Sequence, residues 1–409
     1  MIATETPTTP TTDLDFGTIF NHRPRVVIGH LFLAYGGSEA CVMWLCEALK
    51  RDCDVTILTT GGWNLNGLNQ YYGTSIKPGE VRVRLVPMPP LPRGFFAADL
   101  RGSLYQRFAR RIAPEYDIRI SASNPTDWGL PAVHFIADFS WHRELREQFD
   151  PRTPGFIYRD TILRRAYLRL SSACARPSGR DTLRDDTVIA NSRWTAELIE
   201  RTCGVPCATV VYPPVCSEFP CVPWEEKEEA FVMIGRIAPE KRIEDAIAIL
   251  EAVRGCGHSV RLHLCGEIGG DVYGRRIAQL CRERADWIVV EGRVSGERKS
   301  RILTHCRYGI QTRGAEPFGI SVAEMIKAGA IVFAPANGGQ AEILDTPDLL
   351  FTSQAEAIAK IQAALNQPNR QMQLARILAA RGGLFDARNF IRQARAGIAA
   401  TLQCPVSSR

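Results

Sequence analysis

This 409-residue chain is conspicuous first for the motifs it lacks. Its thirteen cysteines are odd in number and scattered, with no C-x-x-C pair. That argues against a zinc ribbon or a disulfide framework and for a reducing compartment. No apolar run reaches the roughly 18 residues that a bilayer-spanning helix needs. The opening MIATETPTTPTTDLDFG has neither the basic nor the apolar region of a secretory signal, so a cytosolic chain with a flexible tail, residues 1–23, is expected. No G-x-x-x-x-G-K-[ST] is present. The nearest stretch, Gly235-Arg-Ile-Ala-Pro-Glu240-Lys241-Arg242, has Glu in place of the second Gly and Arg in place of the hydroxyl, which excludes a phosphate-loop nucleotidase. The absence of G-x-G-x-x-G after the first apolar strand removes the main sign of a nicotinamide oxidoreductase. H-E-x-x-H and G-x-S-x-G are missing too, removing zincins and nucleophile-elbow hydrolases. Two D-x-D pairs, Asp13/Asp15 and Asp52/Asp54, fall in the tail and in a turn, where Asp is common, and read as solvated acids rather than metal ligands.

What is present is an ordinary globular composition, 45% hydrophobic and 23% charged, long enough that two cores are expected rather than one. A net charge of +6 suits an anionic ligand or membrane surface. No recognised nucleic-acid module accompanies it, so nucleic acid is not an expected partner.

The hydrophobic pattern alternates short strands with amphipathic helices. An apolar run at 25–33 leads to Gly36-Gly37 and then a helix with Val42, Leu45, Cys46 and Leu49 on one face, for which Ser38 is a candidate cap. Strands follow at 55–60, 81–86, 117–121, 132–136 and 187–190, so the first half reads as one α/β domain, residues 24–211. YPPVCSEFPCVPW, residues 212–224, is Pro-rich and aperiodic, and reads as a linker. A second series, residues 225–385, opens on FVMIG and a helix carrying Ile243, Ala246, Ile247, Leu250 and Val253 on one face. Strands at RLHLCGE, WIVVEG, YGIQTR and AIVFAP continue it. Residues 386–409 form a final basic helix. Strand–helix alternation in both halves predicts two doubly wound parallel sheets.

Open sheets of this kind bind ligands at the carboxyl ends of their strands. Gly36-Gly37 and Asn337-Gly338-Gly339 sit there, although turns need glycine in any case. Arg236 and Lys241 flank a strand-to-helix loop where side-chain cations and backbone N–H groups can meet an anion; as an isolated pair they could equally be surface charges. In EPFGISVAE, Ser321 and Glu324 have the spacing of a capping box, which accounts for the second Glu. Glu316 is left without a structural task, standing before Pro317 beyond the strand YGIQTR.

GRIAPEKR, LCGE, EGRVS, EPFGISVAE and ANGGQAEIL, in this order and spacing, resemble glycosyltransferase family 4, retaining enzymes of the GT-B fold. The loop YGGSE, the segment ANSRWTAELI and VVYPPV are similar to members too, including mannosyltransferases that extend dolichol-linked oligosaccharides. The resemblance implies two Rossmann-like domains facing across a cleft, an N-terminal one for the acceptor and a C-terminal one for the nucleotide sugar, with the last helix packing back on the first. It implies that Arg236 and Lys241 hold the donor diphosphate, that Glu316 faces the sugar, and that Glu324 receives the ribose. Gly235 and the backbone N–H groups of Phe318, Gly319 and Ile320 would meet phosphate or sugar hydroxyls, with Gly36 and Gly37 approaching from the other domain. The family also uses a histidine near the sugar; His134 in AVHFIAD is the candidate, with a packed histidine as the alternative, Asp138 as its orienter and His142 as a rival. No metal or cofactor is implied, because the two cations would neutralise the diphosphate.

For the acceptor, residues 101–114 carry four Arg and residues 159–184 carry seven Arg against two Asp, interleaved with Leu and Tyr. Such stretches fit a glycan or lipid-linked acceptor at an anionic membrane surface on its cytoplasmic side, or a merely solvated basic face. A nucleotide-sugar-binding protein of the same fold without turnover is one alternative, and a nucleic-acid-binding protein using the Arg-rich stretches is a second, ranked below it.

Overall fold

The computed structural model describes residues 15–90, 98–142, 144, 145, 149, 161–215 and 219–403. The first half contains α1 (Phe16–Phe20), β1 (Arg25–Gly29), α2 (Gly37–Leu49), β2 (Asp54–Thr59), α3 (Leu65–Tyr72), β3 (Val81–Leu85) and α4 (Ala98–Ile112). It continues through β4 (Ile118–Ser123), β5 (Val133–Ile136), α5 (Ile162–Ala175), β6 (Thr187–Ala190), α6 (Arg193–Cys203) and β7 (Thr209–Val210). Its strands form one parallel sheet in the order β3-β2-β1-β4-β5-β6-β7. A parallel sheet is covered on both faces, so its strands read as unbroken apolar runs: Val26, Val27 and Ile28 of β1 are all fully buried.

The second half contains β8 (Glu228–Ile234), α7 (Ile243–Gly255), β9 (Arg261–Cys265), α8 (Val272–Arg282), β10 (Ile288–Gly292), α9 (Gly296–His305) and β11 (Cys306–Ile310). Then come α10 (Ile320–Lys327), β12 (Ile331–Pro335), α11 (Gly339–Leu344), β13 (Leu350–Phe351), α12 (Gln354–Leu365), α13 (Pro368–Gly382) and α14 (Ala387–Gln403). Its sheet, also parallel, runs β10-β9-β8-β11-β12-β13. Strand order reverses between β1 and β4 in one sheet and between β8 and β11 in the other. These switch points are where an open sheet leaves a crevice at its carboxyl edge. The loops leaving β1, β8 and β11 are those that carry Gly36-Gly37, Arg236 with Lys241, and Glu316.

The chain crosses between the halves twice. In the first crossing Val215 is buried and its N–H donates to the Phe385 carbonyl at 2.8 Å, so the Pro-rich segment is packed where it is described. After the second, α14 lies on α2 and buries Phe390, Ala394, Ile398 and Ala399 in the first core.

Two expectations need correction. The tail is not free through residue 23: Asp15 caps α1, Phe16 is fully buried, and its N–H donates to Asp52 Oδ2 at 3.0 Å. Residues 1–14, including Asp13, lie outside the described residues. Asp52 is not a solvated acid, because Arg395 of α14 also pairs with it at 2.6 Å and stacks its guanidinium 4.8 Å from the Phe16 ring. One carboxylate therefore joins α1, the α2–β2 turn and α14.

Candidate functional site

Glu316 is the centre of the second-domain half. Lys241 Nζ donates to its Oε2 at 2.7 Å and Arg313 to its Oε1 at 3.2 Å. Burial alone would push this carboxyl up; the adjacent Lys241 ammonium and Arg313 guanidinium outweigh it and hold the group below its ordinary 4.5. The loop bearing Lys241 is tied down because Thr312 Oγ1 donates to the Lys241 and Arg242 carbonyls, both at 2.8 Å. Arg236, leaving β8 beside Gly235, has a side chain 78% exposed whose one ion-pair partner among the described residues is Glu240, at 3.0 Å, and so is available to a ligand.

The Asn337-Gly338-Gly339 turn lies directly under this segment. A Cβ on Gly338, which has φ +83°, would fall 2.6 Å from the Glu316 backbone, and Gly339 N–H donates to the Glu316 carbonyl at 2.8 Å. Gly319, at φ +110°, is the N-cap of α10. The capping box expected from Ser321 and Glu324 is therefore not formed. The left-handed glycine starts the helix two residues earlier, Ser321 Oγ accepts from Gln311, and Glu324 pairs with Lys299 Nζ at 2.6 Å. Burial lowers the Lys299 pKa, but the Glu324 carboxylate overrides it and the net shift is upward. Phe318 is 3% exposed and packs on Tyr212 and Phe385, so only its backbone faces outward chemistry. The first N–H groups of α10 have no intrahelical partner and carry the positive end of its dipole, a setting for phosphate or hydroxyl oxygens.

The first domain meets this edge directly. Gly36 is the N-cap of α2, its N–H donating to Tyr72 Oη at 2.7 Å; Ser38, proposed as the cap, instead donates to Glu39 at 2.9 Å. A Cβ on Gly37 would lie 2.7 Å from Ile320 Cδ1, so glycine lets this loop reach α10. Arg293, just past β10, sits 6.0 Å from the Tyr35 ring.

His134 is not in this cleft. It is fully buried inside β5, with Nε2 3.0 Å from Asp186, a residue at the opposite, amino edge of the sheet. A strand covered on both faces must satisfy a histidine internally, and Asp186 does so at Nε2, while Nδ1 is buried without a hydrogen-bond partner among the described residues. Asp138 bonds Ser140 and Ser123 instead. A histidine that does stand at the carboxyl edge is His30, the first residue beyond β1. Its Nδ1 bonds the Phe32 carbonyl, and burial pushes the imidazole below its ordinary 6.5 against the opposing pull of Glu39, that carbonyl and Asp138. Nearby Ser123 ends β4 with φ +89°, a conformation costly for a non-glycine residue. The signal was available in Ile28-Gly29-His30, a histidine at the carboxyl end of the first strand. Among the described residues no cluster of three His, Cys, Asp or Glu is placed to hold a metal ion.

Two doubly wound parallel sheets whose carboxyl-edge loops touch across a boundary constitute the GT-B architecture. Solved structures share it. The chain superposes on sucrose-phosphate synthase from Thermosynechococcus elongatus with a TM-score of 0.66 at 18% identity, covering 91% of this chain and 98% of that one. Anabaena Alr3699/HepE in complex with UDP and glucose gives 0.64 at 15% identity, with 92% and 100% covered. The chain belongs to glycosyltransferase family 4: the family described as glycosyl transferases group 1 matches residues 218–379, and a glycosyl transferase 4-like domain matches residues 36–216. A GDP-Man:Man(3)GlcNAc(2)-PP-Dol alpha-1,2-mannosyltransferase of Mus musculus is 30% identical over 202 residues, 45% of this chain and 41% of the relative. The match thus spans less than half of the relative's length.

Proposed function

We propose that the protein transfers a hexose, with mannose the first candidate, from a nucleoside diphosphate sugar to a hydroxyl of a glycan or lipid-linked acceptor, with retention at the anomeric carbon. The observation that carries this reading is Glu316, clasped by Lys241 and Arg313 at the switch point of the second sheet, opposite the Gly36-Gly37 loop of the first. Mannose is suggested by the mannosyltransferase activity for which the murine relative is named. Arg236 and Lys241 would hold the diphosphate and stabilise the charge of the leaving group. Lys241 would turn from Glu316 toward it. The N–H groups of Phe318, Gly319 and Ile320 would donate to phosphate and sugar oxygens, with Gly235 letting the backbone approach them, and Glu324 would take the ribose hydroxyls while Lys299 holds it in place. The departing diphosphate would take the proton of the incoming hydroxyl on the same face, so no protein nucleophile is needed, and the two cations would do the work of a metal ion. His30 and Asp138 would line the acceptor side. Incubation of the protein with UDP-, GDP- and ADP-sugars and candidate acceptors tests the reading; no transfer from any of them would sink it.

The acceptor is proposed to lie at an anionic membrane. Among the described residues no helix is long and apolar enough to cross a bilayer. On α5, however, Ile162, Leu163 and Leu170 are 79%, 83% and 66% exposed, beside the exposed Arg165, Arg169 and Arg176. The opposite face is held to α4, with Arg164 on Asp99 at 2.7 Å and the Leu100 N–H on Tyr167 at 3.3 Å. An apolar stripe flanked by guanidiniums fits the headgroup boundary of an anionic bilayer. Residues 159 and 160 of this basic stretch lie outside the described residues. In flotation assays the protein should bind anionic vesicles at low salt, and Leu163→Glu/Leu170→Glu should lose most of that binding; equal flotation of the two proteins would refute the membrane reading.

A further inference from the structure

We infer that the first domain positions the donor loop directly, through Ser192 and Thr195 on Pro317 and through the start of α6 on Glu342 of the second domain, so that the loop is completed only when the two domains are docked. This inference rests on the proposed function for its catalytic consequence. Ser192 and Thr195 are both fully buried, and their hydroxyls donate to the same acceptor, the Pro317 carbonyl, at 2.6 and 3.0 Å. Pro317 lies in the other domain, one peptide beyond Glu316. Its carbonyl is an obligatory acceptor that the boundary removes from water, and two hydroxyl donors satisfy both of its lone pairs.

The exchange is reciprocal. Ser192 also caps α6, its Oγ accepting from the Thr195 N–H at 3.0 Å, and Glu342 of α11 accepts from the N–H groups of Arg193 at 2.9 Å and Trp194 at 3.5 Å. A carboxylate from the second domain thus sits on the free N–H groups and positive dipole end of a first-domain helix. Tyr212, in the first crossing, donates its hydroxyl to the same carboxylate and stacks on Phe318 at 5.9 Å. The Trp194 indole N–H donates at 2.9 Å to Asn337, whose turn underlies Glu316. These contacts reach the Glu316–Gly319 segment, the turn beneath it, or α11, which that turn leads into. Separation of the domains would strip partners from the Pro317 carbonyl and from α6 together. The segment that presents Glu316 and the α10 N–H groups would then lose its fixed geometry. A carboxylate or N–H group displaced by about 1 Å from a reacting sugar costs on the order of a hundredfold in rate. Ser192, Thr195 and Glu342 are in this sense positioning residues, touching no substrate themselves.

The test compares Thr195→Val, which keeps shape and removes the hydroxyl, with Thr195→Ser, which keeps the hydroxyl, and with Glu342→Gln. Each is read by kcat, by donor KM and by amide hydrogen exchange of residues 318–323 in the ligand-free protein. Thr195→Val and Glu342→Gln should exchange faster in that segment, with the remainder of both cores unchanged, and should lose about tenfold or more in kcat. Thr195→Ser should stay near the wild type in both readouts. Unchanged exchange at 318–323 in both loss variants, or a rise spread evenly over the molecule, overturns the inference. If the wild type transfers no sugar, the proposed function fails while the exchange readout still decides the latch.

Discussion

Glu316 is held at both oxygens by cations whose own positions are fixed, Lys241 by a loop bonded to Thr312 and Arg313 by its place three residues upstream. Glu316→Gln keeps size and removes charge. Turnover should fall by about a hundredfold or more, the scale for losing one electrostatic partner of a transition state. The same substitution has a pH signature. The folded-state pKa lies below the ordinary 4.5, so the stabilisation is fully present above that value and is lost as pH falls through the folded value. In denaturant melts, wild type should therefore lose its advantage over Glu316→Gln only in acid, below about pH 4.5. A constant difference between the two proteins down through that window would contradict the pairing. Much at this scale was legible. EPFGISVAE pointed to Glu316 because no local rule explained a carboxylate before Pro317. His30 was readable at the carboxyl end of the first strand, whereas Lys299 was not, because its partner Glu324 is distant in sequence and leaves no periodic trace. His134 misled because a histidine in an apolar strand looks the same whether it faces a cleft or a buried aspartate.

At the scale of elements, the strands and main helices followed from apolar runs and 3.6-residue spacing, since parallel strands covered on both faces have no other composition available. Helix starts were less legible. S-x-x-E at 321–324 has the capping-box pattern, yet Gly319 in the left-handed region starts α10 before Ser321 can cap it. Tertiary pairing likewise overrode the expectation for Asp52, whose turn alone suggests solvent. Its carboxylate is pulled up by burial and more strongly down by Arg395 and the Phe16 N–H, with a net downward shift. Asp52→Asn removes the carboxylate charge that Arg395 and the Phe16 N–H share. It should lower stability by ~1–3 kcal/mol, measured by denaturant unfolding at neutral pH. A loss near zero would mean that the carboxylate adds nothing to the packing of the apolar face of α14 on the first core.

For the whole molecule, the two switch points explain why residues from four separate stretches converge. Loops after β1, β8 and β11 emerge where the strand order reverses, and α6 brings Ser192 and Thr195 onto the third of them. The doubled α/β pattern made the two sheets legible in sequence. The docking of one sheet's edge on the other was not, because it depends on long-range hydrogen bonds such as those to Pro317 and on a glycine at 37 that lets its loop reach Ile320. The central claim is sugar transfer with retention from a nucleoside diphosphate sugar across this boundary. Its most direct measurement is the proton NMR spectrum of the product formed from an α-linked donor, recorded with quantified nucleoside diphosphate release. The account predicts an α-linked product formed in step with the diphosphate; a β-linked product, or no transfer from any nucleotide sugar, would contradict it.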